Sequence, residues 1–135
     1  MCVNDIDAHL IVESWFTKKH TDKFINIPGQ NVFRPDRGGR KGGGVCCYVR
    51  DNINSSVYAV TYECEIMWLT FTFEGIAYYI ACLYHPAKSN YIASVLCTEL
   101  NKITNQINLT ATSSDAIIIV AGDFNQLNNM QFLRN

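Results

Sequence analysis

Two long apolar runs, EIMWLTFTF over Glu65 to Phe73 and IAYYIACLY over Ile76 to Tyr84, are separated only by Glu74-Gly75. Each run is rich in β-branched and aromatic residues. A two-residue spacer ending in glycine is the shortest link that folds one strand back on another. This predicts an antiparallel hairpin. Apolarity is near-continuous in both runs, with only Thr70 and Thr72 alternating against Leu69, Phe71 and Phe73. The hairpin is therefore expected to be covered on both faces, which calls for further layers of structure.

Those layers are readable on either side of it. HLIVE (His9 to Glu13) reads as a buried strand closed by a carboxylate, and VCCYVR (Val45 to Arg50) as another. Val57 to Thr61 is a weaker strand, and Asn31 to Pro35 a short one after the Pro28-Gly29 turn. The polar stretch Ser14 to Lys23 fits a short helix or a loop. RGGRKGGG (Arg37 to Gly44) has five glycines in eight residues, too many for a helix or strand interior. Ile92, Val95, Leu96, Leu100, Ile103 and Ile107 recur at three- and four-residue steps, which predicts a helix over Asn90 to Leu109, with Ser89 or Asn90 as its cap. After a polar linker, Thr110 to Ser114, comes the buried strand AIIIVA (Ala116 to Ala121). Strands, then a helix, then a strand imply an α/β architecture. No internal repeat is visible, and 135 residues suit one domain.

With 48% hydrophobic and 17% charged residues the chain is globular, and a net charge of −1 excludes a general polycation. The charge is unevenly placed, however. Eight of the 11 Lys and Arg fall between Lys18 and Arg50, opposed only by Asp22 and Asp36. That stretch suits a phosphate backbone or, equally, a solvated loop surface. None of the six cysteines forms a Cys-x-x-Cys pair, and Cys46, Cys47 and Cys82 lie inside apolar runs. They read as small hydrophobes in a reducing compartment rather than zinc ligands. The first ten residues lack a secretory pattern, and the longest purely apolar run is too short to span a bilayer. Together these point to an intracellular protein with no membrane attachment, and not to a secreted one.

Three places can carry chemistry. AIIIVAGDFN runs a buried strand into Gly122, Asp123 and Asn125. An acid and an amide two residues apart lie on one side of an extended chain. There they could hold a water or a phosphate, or form an Asx turn that closes the strand. Glu13 ends a buried strand and is either a hard-metal ligand or a surface partner of Lys18 or Lys19. Tyr84, before His85-Pro86, either donates to a phosphate oxygen or belongs to the core. His85 alternates away from Tyr84 and is expected at the surface. Arg37, Arg40 and Lys41 in the glycine-rich loop are the candidate contacts to a nucleic-acid backbone. That loop is not a phosphate-binding loop of the Walker type, since it lacks the Gly-Lys-Ser/Thr ending and precedes a strand.

The order of these segments carries a resemblance. Glu13-Ser14-Trp15, Asp36-Arg37, Gly42-Gly43-Gly44-Val45, Tyr84-His85-Pro86 and Gly122-Asp123-Phe124-Asn125 follow one another as in the endonuclease/exonuclease/phosphatase superfamily. The set most resembles the endonuclease domains of LINE-type (non-LTR) retrotransposons, over about Asp7 to Asn129. The resemblance implies a DNase I-like two-sheet α/β sandwich with its site at strand ends. It implies a Mg²⁺- or Mn²⁺-dependent phosphodiesterase that nicks DNA, joined in the full-length parent to a reverse transcriptase domain and working in the nucleus. Glu13 would be the metal ligand. Tyr84 would hydrogen-bond the scissile phosphate, Asp123 would position or deprotonate the attacking water, and Asn125 would hold Asp123 and a phosphate oxygen.

The chain also departs from that pattern. An Asn-bearing first strand with its helix, and a closing Ser-Asp-His motif, have no counterpart in it. Residues 1–135 are therefore expected to be part of the domain, with weak or no activity as they stand and poor solubility. Two other readings stay open: a catalytically dead remnant that at most binds nucleic acid, and a superfamily member acting on another phosphoester.

Overall fold

A computed structural model describes residues 6–35, 42–111 and 116–125. Seven strands and two helices follow in order: β1 (Ala8–Val12), α1 (Asp22–Ile25), β2 (Gln30–Phe33), β3 (Val45–Arg50), β4 (Ser55–Thr61), β5 (Ile66–Phe73), β6 (Ile76–Tyr84), α2 (Ala93–Thr110) and β7 (Ile117–Asp123). The hairpin forms as expected: β5 and β6 pair antiparallel in unbroken register from Ile66↔Leu83 to Phe73↔Ile76. Its turn needs two left-handed residues, and Glu74 (φ 50°) and Gly75 (φ 79°) supply them. The hairpin forms the centre of a four-stranded sheet, β4-β5-β6-β7, in which α2 is the crossover that lets β7 run parallel to β6. A second, three-stranded sheet has the order β1-β3-β2.

Strand alternation separates two cores. Ile66 and Trp68 of β5, with Ala81 and Leu83 of β6, face α2 and pack on Leu96, Leu100, Ile103 and Ile107. Met67, Leu69, Cys82 and Tyr84 face the other way and meet Val45, Cys47 and Val49 of β3. The molecule is therefore a two-sheet α/β sandwich with α2 on its outer face. Burial on both faces of the hairpin holds only for the half away from the turn; Phe73 is 56% exposed. The described cysteines are free thiols, and four of the five are buried, as expected of small hydrophobes. The Cys47 and Cys82 thiols meet in the core between the sheets, and the Cys82 thiol donates to the Ile11 carbonyl at 3.8 Å. The contact with Cys82, together with burial, pushes the Cys47 thiol far above its ordinary pKa.

Several boundaries differ from the sequence reading, each for a local reason. Glu13 and Glu65 lie outside their strands because both take left-handed backbone (φ 52° and 49°). The helix starts at Ala93, after an uncapped Ile92, because Ser89 Oγ donates to the Tyr91 carbonyl instead of capping. β7 extends through Asp123 because its ladder with β6 runs on to Tyr84↔Asp123. Among the described residues no helix is long and apolar enough to cross a membrane.

Candidate functional site

The antiparallel pairing of β1 with β3 (Val12↔Val45) places Glu13 beside Gly44. The parallel pairing of β6 with β7 places Asp123 beside Tyr84 on the same side of the sheet. The C-terminal ends of β1, β6 and β7 thus meet at one end of the sandwich. Tyr84 spans the gap between sheets: its hydroxyl donates to Glu13 Oε1. Three of the residues singled out in the sequence, from three distant segments, are therefore brought together.

Asp123 and Asn125 do form the Asx turn that their spacing allows, with the Asn125 N–H donating to Asp123 Oδ1 at 2.8 Å. The turn leaves Asp123 beside Tyr84 in the strand register. Asn125 Nδ2 donates to the His85 carbonyl at 2.7 Å, and the His85 N–H donates to the Asp123 carbonyl at 2.8 Å. The Asp123–Asn125 segment is thereby tied to the end of β6. Gly122 makes that closeness possible: a Cβ there would stand 1.9 Å from the Leu83 carbonyl oxygen, and its φ is +143°.

His85 is not the surface residue expected of it. It is 7% exposed, and its Nδ1 lies 3.0 Å from the Tyr91 hydroxyl. Alternation does turn it away from Tyr84, but that face is covered by the chain leading into α2. Burial pushes the imidazole pKa below the ordinary histidine value, against a partial opposing pull from the Asp123 carboxylate. The sequence reading also passed over Glu65, a carboxylate only 8% exposed that accepts the Gly44 N–H at 2.7 Å. An acid opening one of the most apolar runs in the chain was the available signal.

Backbone strain is concentrated at this end. Of the five described non-glycine residues with positive φ, Glu13, Trp15, Glu65 and Asn125 lie at it, and only Glu74 lies in a hairpin turn. Such conformations cost about 1–3 kcal/mol each and persist where surrounding contacts enforce them. Of the basic stretch, Arg34 is committed to structure: it pairs with Asp22 (3.0 Å), donates to the His20 carbonyl (2.6 Å) and stacks over Phe16. Arg50 pairs with Asp7 at 3.4 Å. Arg37, Arg40 and Lys41 lie outside the described residues.

Glu13 offers carboxylate oxygen, the donor type a hard cation prefers, and Mg²⁺ typically takes one or two carboxylates and completes its shell with water and phosphate. Among the described residues no group of three or more His, Cys, Asp or Glu side chains forms a ready-made cage. Glu13 could therefore supply one carboxylate of such a shell, not the whole of it.

No protein-family model matches the sequence, and no curated protein sequence does. Solved structures do match in shape. One is a crystal structure of humanized D. rerio TDP2 bearing 14 mutations, with a TM-score of 0.57 and 18% identity over 93% of this chain and 54% of that one. The chain thus spans about half the length of that solved chain. At that identity the likeness concerns the fold alone: a DNase I-like α/β sandwich of two sheets.

Proposed function

We propose that this chain carries part of the active site of a Mg²⁺-dependent phosphodiesterase that nicks DNA, of the LINE-type retrotransposon branch. The observation that carries the proposal is the meeting of Glu13, Tyr84 and Asp123 at one end of the sandwich. A divalent ion on Glu13 would supply Lewis-acid polarisation of the phosphate and charge stabilisation at the leaving oxygen. Tyr84 has one hydroxyl proton, which it donates to Glu13. With a cation held by Glu13, the phenol would be free to donate to a phosphate oxygen and the charge developing there. Asp123, fixed by the Asn125 N–H, holds the attacking water or takes its proton. Asn125 Nδ2 has two hydrogens; one holds the His85 carbonyl and the other is suited to a phosphate oxygen. Arg37, Arg40 and Lys41 would grip the backbone without reading sequence. The full-length parent would add a reverse transcriptase domain that primes from the nick in the nucleus.

A second reading is a catalytically dead remnant. The test is nicking of supercoiled plasmid by a chain extended through the flanking reading frame, with Mg²⁺ or Mn²⁺. Nicking should need the metal and fall at least about 100-fold in Asp123→Ala. Equal nicking by both proteins would remove Asp123 from the mechanism. Metal-dependent release of phosphate from small phosphoesters, without nicking, would move the substrate to another class.

A further inference from the structure

The turn that presents Glu13 is costly to hold. Glu13 and Trp15 both have left-handed backbone, with Ser14 between them. Two main-chain hydrogen bonds enforce it: Ser14 N–H to the Gly44 carbonyl (3.3 Å) and Trp15 N–H to the Gly43 carbonyl (3.0 Å). The clasp is only as firm as the glycine segment that receives it. Gly42, Gly43 and Gly44 are all left-handed themselves, and a Cβ on Gly44 would stand 3.0 Å from Ser14 Oγ.

Glu65 anchors that segment. Its Oε2 accepts the Gly44 N–H at 2.7 Å in a buried setting. Its main-chain carbonyl accepts the Tyr84 N–H at 3.1 Å. One residue therefore reaches Glu13 through Gly44 with its side chain and Tyr84 with its backbone. The geometry assigns Glu65 as a positioning residue for the candidate metal ligand: it fixes Gly44, which fixes the Ser14–Trp15 turn, which aims the Glu13 carboxylate at the Tyr84 hydroxyl. The assignment rests on the reading of Glu13 as the ligand.

The test is sub-stoichiometric Mn²⁺ added to the ¹⁵N-labelled chain, following paramagnetic broadening of the Glu13 and Tyr84 amide signals. Wild type, Glu13→Gln, Glu65→Ala, Glu65→Asp and Glu65→Gln are compared, each checked for folding by circular dichroism. Glu65→Gln keeps an acceptor oxygen at full reach, whereas Glu65→Asp keeps the charge and withdraws the acceptor. Apparent Mn²⁺ affinity should fall about tenfold or more in Glu65→Ala and Glu65→Asp, and stay within about threefold of wild type in Glu65→Gln. Should Glu65→Ala not fold, the Asp and Gln variants decide alone. Wild-type affinity in Glu65→Asp, with loss in Glu13→Gln, would overturn the role of Glu65 and leave the metal site standing. A wild-type response in Glu13→Gln would instead overturn the metal-site reading itself.

Discussion

Gly122 shows how a single residue sets the spacing between strands and, with it, the position of a carboxylate. Any side chain there would run into the Leu83 carbonyl across the β6–β7 ladder, and φ +143° disfavours an L residue in any case. Gly122→Ala should therefore cost roughly 3 kcal/mol in urea denaturation. A cost below about 0.5 kcal/mol would mean that the strands part easily. His85 makes a second residue-scale prediction. Its folded pKa lies below the unfolded value because burial disfavours the imidazolium. Well above pH 6.5 both states are neutral and no stability is lost; as pH falls through about 6.5 toward the folded pKa, the unfolded state takes up protons first and stability declines. A His85→Gln variant should show a shallower loss between about pH 7.5 and 5 than wild type. Parallel slopes would remove His85 from the pH response.

At the scale of elements, the hairpin and α2 were legible because their periods are long and uninterrupted: eight strand residues against nine, and four buried helix positions at steps of three and four. Strand ends were less legible. Glu13 and Glu65 read as the last and first residues of strands, but left-handed backbone detaches both, and no propensity scale anticipates that in a glutamate. His85 was misplaced because alternation gives the face a residue occupies but not what covers that face. Tyr84 and Asp123 could be singled out from sequence, but their adjacency could not, since it depends on β7 pairing parallel with β6 in one register. The two sides of α2 make a direct comparison. Leu96 is fully buried against β5 and β6, so Leu96→Ala should cost about 2–5 kcal/mol. Leu109 is 87% exposed, and Leu109→Ala should stay within about 0.5 kcal/mol. Equal costs would contradict the packing of α2 on the sheet.

For the whole molecule, the order β4-β5-β6-β7 makes β7 an edge among the described residues. It carries Ile117, Ile119 and Val120 at 39–41% exposure. An apolar edge strand invites pairing with another chain. The 135-residue chain should therefore self-associate as its concentration is raised in sedimentation velocity; a monomer throughout would contradict the exposure of that edge. The same openness bears on function, because a site built at strand ends is only as complete as the strands around it. The central claim is that Glu13, Tyr84 and Asp123 surround one divalent ion and a phosphate. Anomalous scattering from a crystal grown with Mn²⁺ and a short DNA oligonucleotide tests it most directly. The predicted map has one Mn²⁺ peak on the Glu13 carboxylate, with a DNA phosphate between it and the Tyr84–Asp123 pair. A peak elsewhere, or Glu13 and Asp123 opening to opposite sides of the sandwich, would contradict it.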